Sequence, residues 1–209
     1  MITLVVANQK GGVGKTTTAL NLAASLSAAS RKVLLIDLDS QGNSTTGTGE
    51  ERDKSEHSLI DVMVSSEYSL ERIIEPTKYK FDLIPASADL ISAEIELSSL
   101  PNPTTILKNK LKDLGEGYDY VVIDCPPSLG MLSVSALRAA SKVLIPLQCE
   151  YYSLEGLAAM NKTIKEINDA TGENIVINGI LRTMYDSRIR LSREAVSYTH
   201  LRAHETDIN

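Results

Sequence analysis

The 209-residue chain has no tryptophan, one phenylalanine (Phe81) and two cysteines. With so few large aromatic side chains, its core has to be built from Val, Ile, Leu and Ala. Cys125 and Cys149 lie far apart with no second pair, which excludes a disulfide framework and a cysteine metal cluster and fits a reducing cytosol. Net positive charge is also lacking: 21 Lys and Arg face 27 Asp and Glu, a formal net charge of -6. That argues against a globally basic nucleic-acid binder but leaves room for a local basic patch. No apolar run approaches the roughly 18 residues of a membrane span. The N-terminal stretch MITLVVANQKGG has neither a basic leader nor a small-residue cleavage site. A soluble, cytoplasmic, single-domain protein is the expectation, and the length suffices for a substantial core.

What is present is a series of short apolar runs: Ile2–Ala7, Lys32–Leu38, Phe81–Pro85, Tyr118–Asp124, Lys142–Leu147 and Ile175–Leu181. They are rich in Val, Ile and Leu and mostly do not alternate with polar residues, as expected of strands buried on both faces. Lys15–Ala29, Ser133–Ala140 and Leu154–Ala170 read as helices between them. The alternation predicts an α/β fold, a doubly wound and mostly parallel sheet flanked by helices. The polar stretch Gly47–Ser58 reads as a surface loop, with His57 a surface residue in it.

The strongest local signal is Gln9-Lys10-Gly11-Gly12-Val13-Gly14-Lys15-Thr16-Thr17, directly after a predicted strand and opening a predicted helix. Gly11, Gly12 and Gly14 tolerate positive φ and let backbone N–H groups of the loop, Val13 included, approach phosphates. The helix start adds its positive dipole end. Lys15 supplies a full charge for the β- and γ-phosphates of ATP, and Thr16, followed by Thr17, offers a hydroxyl to Mg2+. The usual G-x-x-x-x-G-K-[ST] pattern wants glycine where this chain has Gln9, and a second lysine, Lys10, precedes the glycines. A glycine-rich turn with solvated lysines is the alternative; strand, glycines, Lys-Thr and helix in register argue against it.

Two acidic segments end predicted strands. VLLIDLDSQGN places Asp37 and Asp39 after the second, and YDYVVIDCPPS places Asp124 after another. Ligands of open parallel sheets bind outside these carboxyl ends. A single strand-terminal Asp is more often a turn or cap residue; three at matching ends point to a site. Asp124 has the position of an acid holding a magnesium-bound water, and Asp39 is placed to orient the attacking water. Thr16, Asp39 and Asp124 are the candidate metal residues. Cys125 reads as a packed residue rather than a nucleophile.

The segments KGGVGKTTT (Lys10–Thr18), DLDSQGN (Asp37–Asn43), DCPPSLG (Asp124–Gly130), QCEYYSLEG (Gln148–Gly156) and LRTMYDSR (Leu181–Arg188) together resemble the ParA/Soj family of partitioning ATPases. This is part of the deviant phosphate-loop group that also holds MinD and the nitrogenase iron protein. The likeness runs from about residue 1 to 195, with Ser40 where the family usually has proline. It implies an ATPase in which Lys10 is the signature lysine reaching the partner's ATP in a sandwich homodimer. Lys15 and Thr16 become the phosphate and magnesium residues, Asp39 the catalytic aspartate and Asp124 the magnesium-water acid. Gly12 is kept small for face-to-face closure, and Met184 belongs to a segment bordering the adenine. The resemblance further implies non-specific DNA binding through Arg188, on the nucleoid, and a ParB-type centromere-binding partner. Arg182, Arg190 and Arg193 are neighbours that would extend the patch, Arg190 being the second DNA-contact candidate. Tyr151 and Tyr152 either pack or line a loop near the nucleotide.

Residues 196–209 (VSYTHLRAHETDIN) match nothing in the family and follow a helix that begins near Leu191; the expectation is a C-terminally truncated domain with an artefactual tail. Two other functions stay open: a MinD-like membrane-surface ATPase, for which no basic amphipathic stretch is visible, and a cluster-carrying ATPase, which needs bridging cysteines. An inactive fragment is a further alternative.

Overall fold

Seven strands form one sheet in the order β3-β4-β2-β5-β1-β6-β7. They are β1 (Ile2–Val6), β2 (Val33–Asp37), β3 (Glu75–Pro76), β4 (Asp82–Ile84), β5 (Tyr120–Asp124), β6 (Lys142–Gln148) and β7 (Val176–Thr183). All neighbours pair in parallel except the two-residue β3, which runs antiparallel to β4. This is a computed structural model, and it describes residues 1–51, 56–186 and 188. The helix start near Leu191, Arg190, Arg193 and the tail 196–209 lie outside the described residues.

Each central strand is buried on both faces, and successive residues feed two different layers. Val6, Val33, Leu35, Leu83 and Val122 pack with Ala19 and Ala23 of α1 (Lys15–Ala28). Val5, Leu34, Ile36, Val121, Ile123, Val143 and Ile145 form the larger cluster on the other side. That side is covered by α3 (Leu59–Val64), α4 (Ala93–Ser98), α5 (Ile106–Asp113), α6 (Met131–Ala139) and α7 (Tyr151–Thr171). Helices on both faces of a mostly parallel sheet are the doubly wound architecture expected from the apolar runs.

Sequence reading missed the short helices. α2 (Asn43–Thr48, sequence NSTTGT) contains no strong helix former, and its last two residues fall in the stretch read as loop. Tertiary contacts hold it: Asp37 Oδ2 accepts from both the backbone N–H and the hydroxyl of Thr45, each at 2.8 Å. A Cβ at Gly47 would sit 2.6 Å from Leu20 Cδ1, so a larger residue there would require the Leu20 side chain to shift. α3 starts with a capping box: the Ser58 hydroxyl accepts from the Asp61 N–H while the Asp61 carboxylate accepts from the Ser58 N–H. His57 is half-buried and stacked on Tyr68 at 4.1 Å between ring centres, so it is not the free surface residue expected.

Candidate functional site

The register fixes where the site lies. Val6 of β1 and Asp37 of β2 both stand opposite Asp124 of β5, so these three strands end on one row. The loops that follow, residues 7–14, 38–42 and 125–130, therefore open side by side at the carboxyl edge of the sheet, where such folds bind ligands.

The first loop is anchored on its β6 side by Asn8, which is 4% exposed. Its Nδ2 donates to the Pro146 carbonyl at 2.7 Å, and its Oδ1 accepts from the Lys10 N–H at 3.0 Å. Gly12 and Gly14 have φ of 72° and 88°, in the left-handed region that favours glycine, whereas Gly11 is not in that region. A Cβ on Gly11 or Gly12 would meet nothing within 4 Å, so this side of the loop faces open space. α1 follows with no side-chain cap and no acidic residue in its first turn. Its positive end is left for an external anion.

Lys15 opens α1, is 7% exposed, and turns its Nζ back to the Lys10 carbonyl at 3.1 Å. Burial lowers its pKa from the ordinary lysine value, with Asp124 and Asp39 acting in the opposite direction. A buried ammonium with so few partners suits a strongly anionic ligand. Val13 is fully buried, Thr16 half-buried and Thr17 exposed.

The three carboxylates play separable parts. Asp37 is fully buried; besides Thr45 it accepts from the Asp39 N–H at 3.2 Å, and burial raises its pKa. It is an internal anchor for α2 and the 38–42 loop. Asp39 is 8% exposed and takes the Gln41 N–H on Oδ1 at 3.0 Å. Asp124 is 1% exposed and accepts from the Ser44 hydroxyl at 2.7 Å on Oδ2. Its Oδ1 is buried with no hydrogen-bond partner among the described residues. Burial pushes its carboxyl up to about 7, Asp37 and Asp39 adding repulsion while the hydroxyls of Ser44 and Thr16 act the other way.

That orphaned oxygen, two nearby carboxylates and the Thr16 hydroxyl form an all-oxygen set, the chemistry Mg2+ prefers. No group of three or more His, Cys, Asp or Glu side chains forms a metal cage among the described residues. Magnesium needs none, since it keeps waters and phosphate oxygens in its shell. Cys125 and Cys149 are both buried, and burial raises both thiols, an environment unlike that of a cluster-bridging thiolate.

The second lysine, Lys10, donates its Nζ to Glu150 Oε2 at 2.6 Å within the same chain, their side chains 38% and 57% exposed. Glu150 is the N-cap residue of α7, so Tyr151 and Tyr152 fall in that helix's first turn. Met184 is 66% exposed with φ 52°, and its sulfur accepts from Gln148 Nε2. Arg188 is 88% exposed and binds Asp186 through both Nε and Nη2. Arg182 lies 6.0 Å over the Tyr185 ring. A cavity of about 260 Å³ between the second and third loops is lined by Leu38, Leu90, Ile91 and Leu132 with Ser40 and Ser128. None of the residues lining it is charged. Asn8, Ser44, Thr45 and Glu150 were not picked out as site residues from the sequence. The partners that tie them to other elements lie at chain separations of 8 to 140 residues, and no local motif points to those pairings.

A family model described as an AAA domain matches residues 1–177. Chromosome partitioning protein ParA of Myxococcus xanthus is 44% identical over 92% of this chain and 68% of its own length. Sporulation initiation inhibitor protein Soj of Bacillus subtilis is 42% identical over 92% of this chain and 76% of its own. Among solved structures, cobyrinic acid a,c-diamide synthase from Mycobacterium smegmatis, with bound ATP analogue and magnesium, superposes with a TM-score of 0.90. It is 38% identical, with 97% of this chain and 82% of that one covered.

Proposed function

The chain belongs to the ParA/Soj family of partitioning ATPases, and from that premise we propose that it is an ATP-driven DNA-segregation switch acting in the cytoplasm on nucleoid DNA. ATP binding closes two copies into a sandwich dimer that holds DNA without sequence preference; hydrolysis, stimulated by a ParB-type partner, releases it. The observation that carries this reading is the convergence of Lys15 with Asp37, Asp39 and Asp124 at three strand ends in one register.

The amides of residues 11–16 and the Lys15 ammonium bind the β- and γ-phosphates. Magnesium, when bound, neutralises charge between those phosphates; Thr16 and Asp124 would hold it, with Asp39 beside them. Asp39 orients the attacking water. Lys10 leaves Glu150 and supplies charge to the partner's nucleotide, as a trans-acting cation does in other phosphoryl transfers. Two states that differ in affinity for a ligand are all a switch requires.

For DNA contact, Arg188 exchanges the Asp186 carboxylate for a backbone phosphate, and Arg190 is a second candidate outside the described residues. Phosphate neutralisation makes such binding steeply salt-dependent. The deciding experiment is DNA retention by the full chain with Mg-ATP, with ADP as control. Retention only with ATP, lost in Arg188→Glu while ATP-dependent dimerisation persists, is the expected result. Equal retention with ADP removes the switch from the reading.

A further inference from the structure

We propose that Thr183, the last residue of β7, is a positioning residue for the phosphate loop, fixing the peptide plane that aims the Gly14 amide at the triphosphate. The proposal rests on the assignment of residues 11–16 as the phosphate site and adds a component that no motif of the loop contains. The Thr183 hydroxyl donates to the Val13 carbonyl at 2.9 Å, across 170 positions of sequence. Its methyl carbon lies 3.5 Å from where a Cβ on Gly14 would stand. One side chain thus bonds the carbonyl of Val13 and stands beside the open side of Gly14, the residues on either side of a single peptide bond.

The consequence follows from peptide planarity. In a trans peptide the carbonyl and the following N–H point in opposite directions, and no cis peptide occurs among the described residues. Thr183 holds the Val13 carbonyl toward β7, so the Gly14 N–H must point away from β7, toward the interior of the loop. Gly14 sits at φ 88°, a conformation in which neighbouring peptide planes of a glycine turn easily when nothing holds them. On the far side, the Gly14 carbonyl is held by the Thr18 N–H at 2.9 Å and the Thr18 hydroxyl at 2.7 Å. Both peptides around Gly14 are therefore pinned, one by α1 itself and one by β7. β7 takes its position from pairing with β6 in a register that places Thr183 beside Gln148. Asn8 ties the other end of the loop to β6, so the β6–β7 edge holds the loop at two points.

Calorimetry of Mg-ATP and of inorganic triphosphate with the wild-type chain, Thr183→Val and Thr183→Ser tests this. Valine keeps the methyl group and removes the donor; serine keeps the donor. One net hydrogen bond corresponds to a factor of about 2 to 13 in an equilibrium. Thr183→Val should weaken both ligands by roughly that factor, and Thr183→Ser should stay within about twofold. A folded Thr183→Val that binds both ligands like wild type overturns the proposal. So does a loss for ATP without a loss for triphosphate, which would place the effect at the base. A loss in Thr183→Ser as large as in Thr183→Val does the same by assigning the effect to the methyl group, and Thr183→Ser remains informative if the valine variant does not fold. Failure of the wild-type chain to bind either ligand refutes the phosphate-loop assignment itself, a different outcome from failure at Thr183 alone.

Discussion

Lys10 Nζ and Glu150 Oε2 lie 2.6 Å apart within one chain, so the lysine expected to act on a partner's nucleotide is held by its own subunit. In the proposed sandwich dimer, closure has to break this pair once in each protomer. Pairs this exposed contribute about 0.2–1 kcal/mol. Glu150→Gln is expected to tighten ATP-dependent dimerisation by roughly 2- to 30-fold, the square of the factor for one pair. Lys10→Ala should bind ATP as a monomer. Sedimentation with a slowly hydrolysed ATP analogue checks both, and a Lys10→Ala variant that dimerises normally removes its trans role.

Asp39→Ala is expected to slow phosphate release by about 10²-fold or more, the usual scale for a lost proton-handling or water-orienting group. Mg-ATP affinity should change little, leaving the dimer trapped. Asp39 also caps a turn through the Gln41 N–H, so Asp39→Asn, which keeps an acceptor there, separates turn stability from catalysis. Single-turnover measurements with normal rates in both variants would take Asp39 out of the reaction.

Asp124 makes a pH prediction for the protein free of nucleotide and metal. Its carboxyl is raised to about 7 by burial, against an ordinary value of 3.8. Between these values the folded state holds a proton that the unfolded state has lost, so stability falls as pH rises from about 4 to about 7. Asp124→Asn removes this penalty: near-neutral at pH 4, it should stabilise the fold at pH 8 by up to about 4 kcal/mol, while magnesium-dependent hydrolysis is lost. Asp37, raised in the same direction, leaves a residual slope. Melting curves in a chelator that run parallel for the two proteins would contradict the assignment.

Glu173, beyond the end of α7, receives Lys108 of α5 at 2.9 Å and Arg138 of α6 at 3.2 Å, with only 14% of its side chain exposed. Burial raises its pKa, but hydrogen bonds and charge from Lys108 and Arg138 outweigh burial and leave it below the ordinary glutamate value. A depressed carboxylate stabilises the fold above its unfolded pKa of 4.5, and that contribution disappears as pH falls below it. Glu173→Gln should cost about 1.5–3 kcal/mol at pH 7, with the gap closing below pH 4.5. Chemical denaturation at pH 7 and pH 3.5 checks it; an equal gap at both would mean that charge is not the cause.

Much of the architecture was legible because its causes are local. Six of the seven strands coincide with apolar runs, since a strand buried on both faces must be apolar at nearly every position. The missed strand, Glu75–Pro76, is two residues long and antiparallel, too short to carry a pattern. The missed helices are short ones; α2 in particular forms because Asp37 holds it through Thr45, not because NSTTGT favours a helix. The same division runs through the site. Lys15, Thr16 and the glycines form one contiguous segment after a strand, so they could be singled out from their spacing alone. The sequence offered no role for Asp37, because its part as an anchor depends on hydrogen bonds from Thr45 and the Asp39 N–H that only the fold assembles.

The sequence by itself determined the sheet, the phosphate loop and the carboxylates at the strand ends, because backbone periodicity and a contiguous motif act over a few residues. Only the tertiary structure decided that Lys10 rests on Glu150, that Ser44 holds Asp124 and that Thr183 pins Val13. Those contacts join residues 80 to 170 positions apart. Strand order and register bring such pairs together, and no local pattern of residues encodes that.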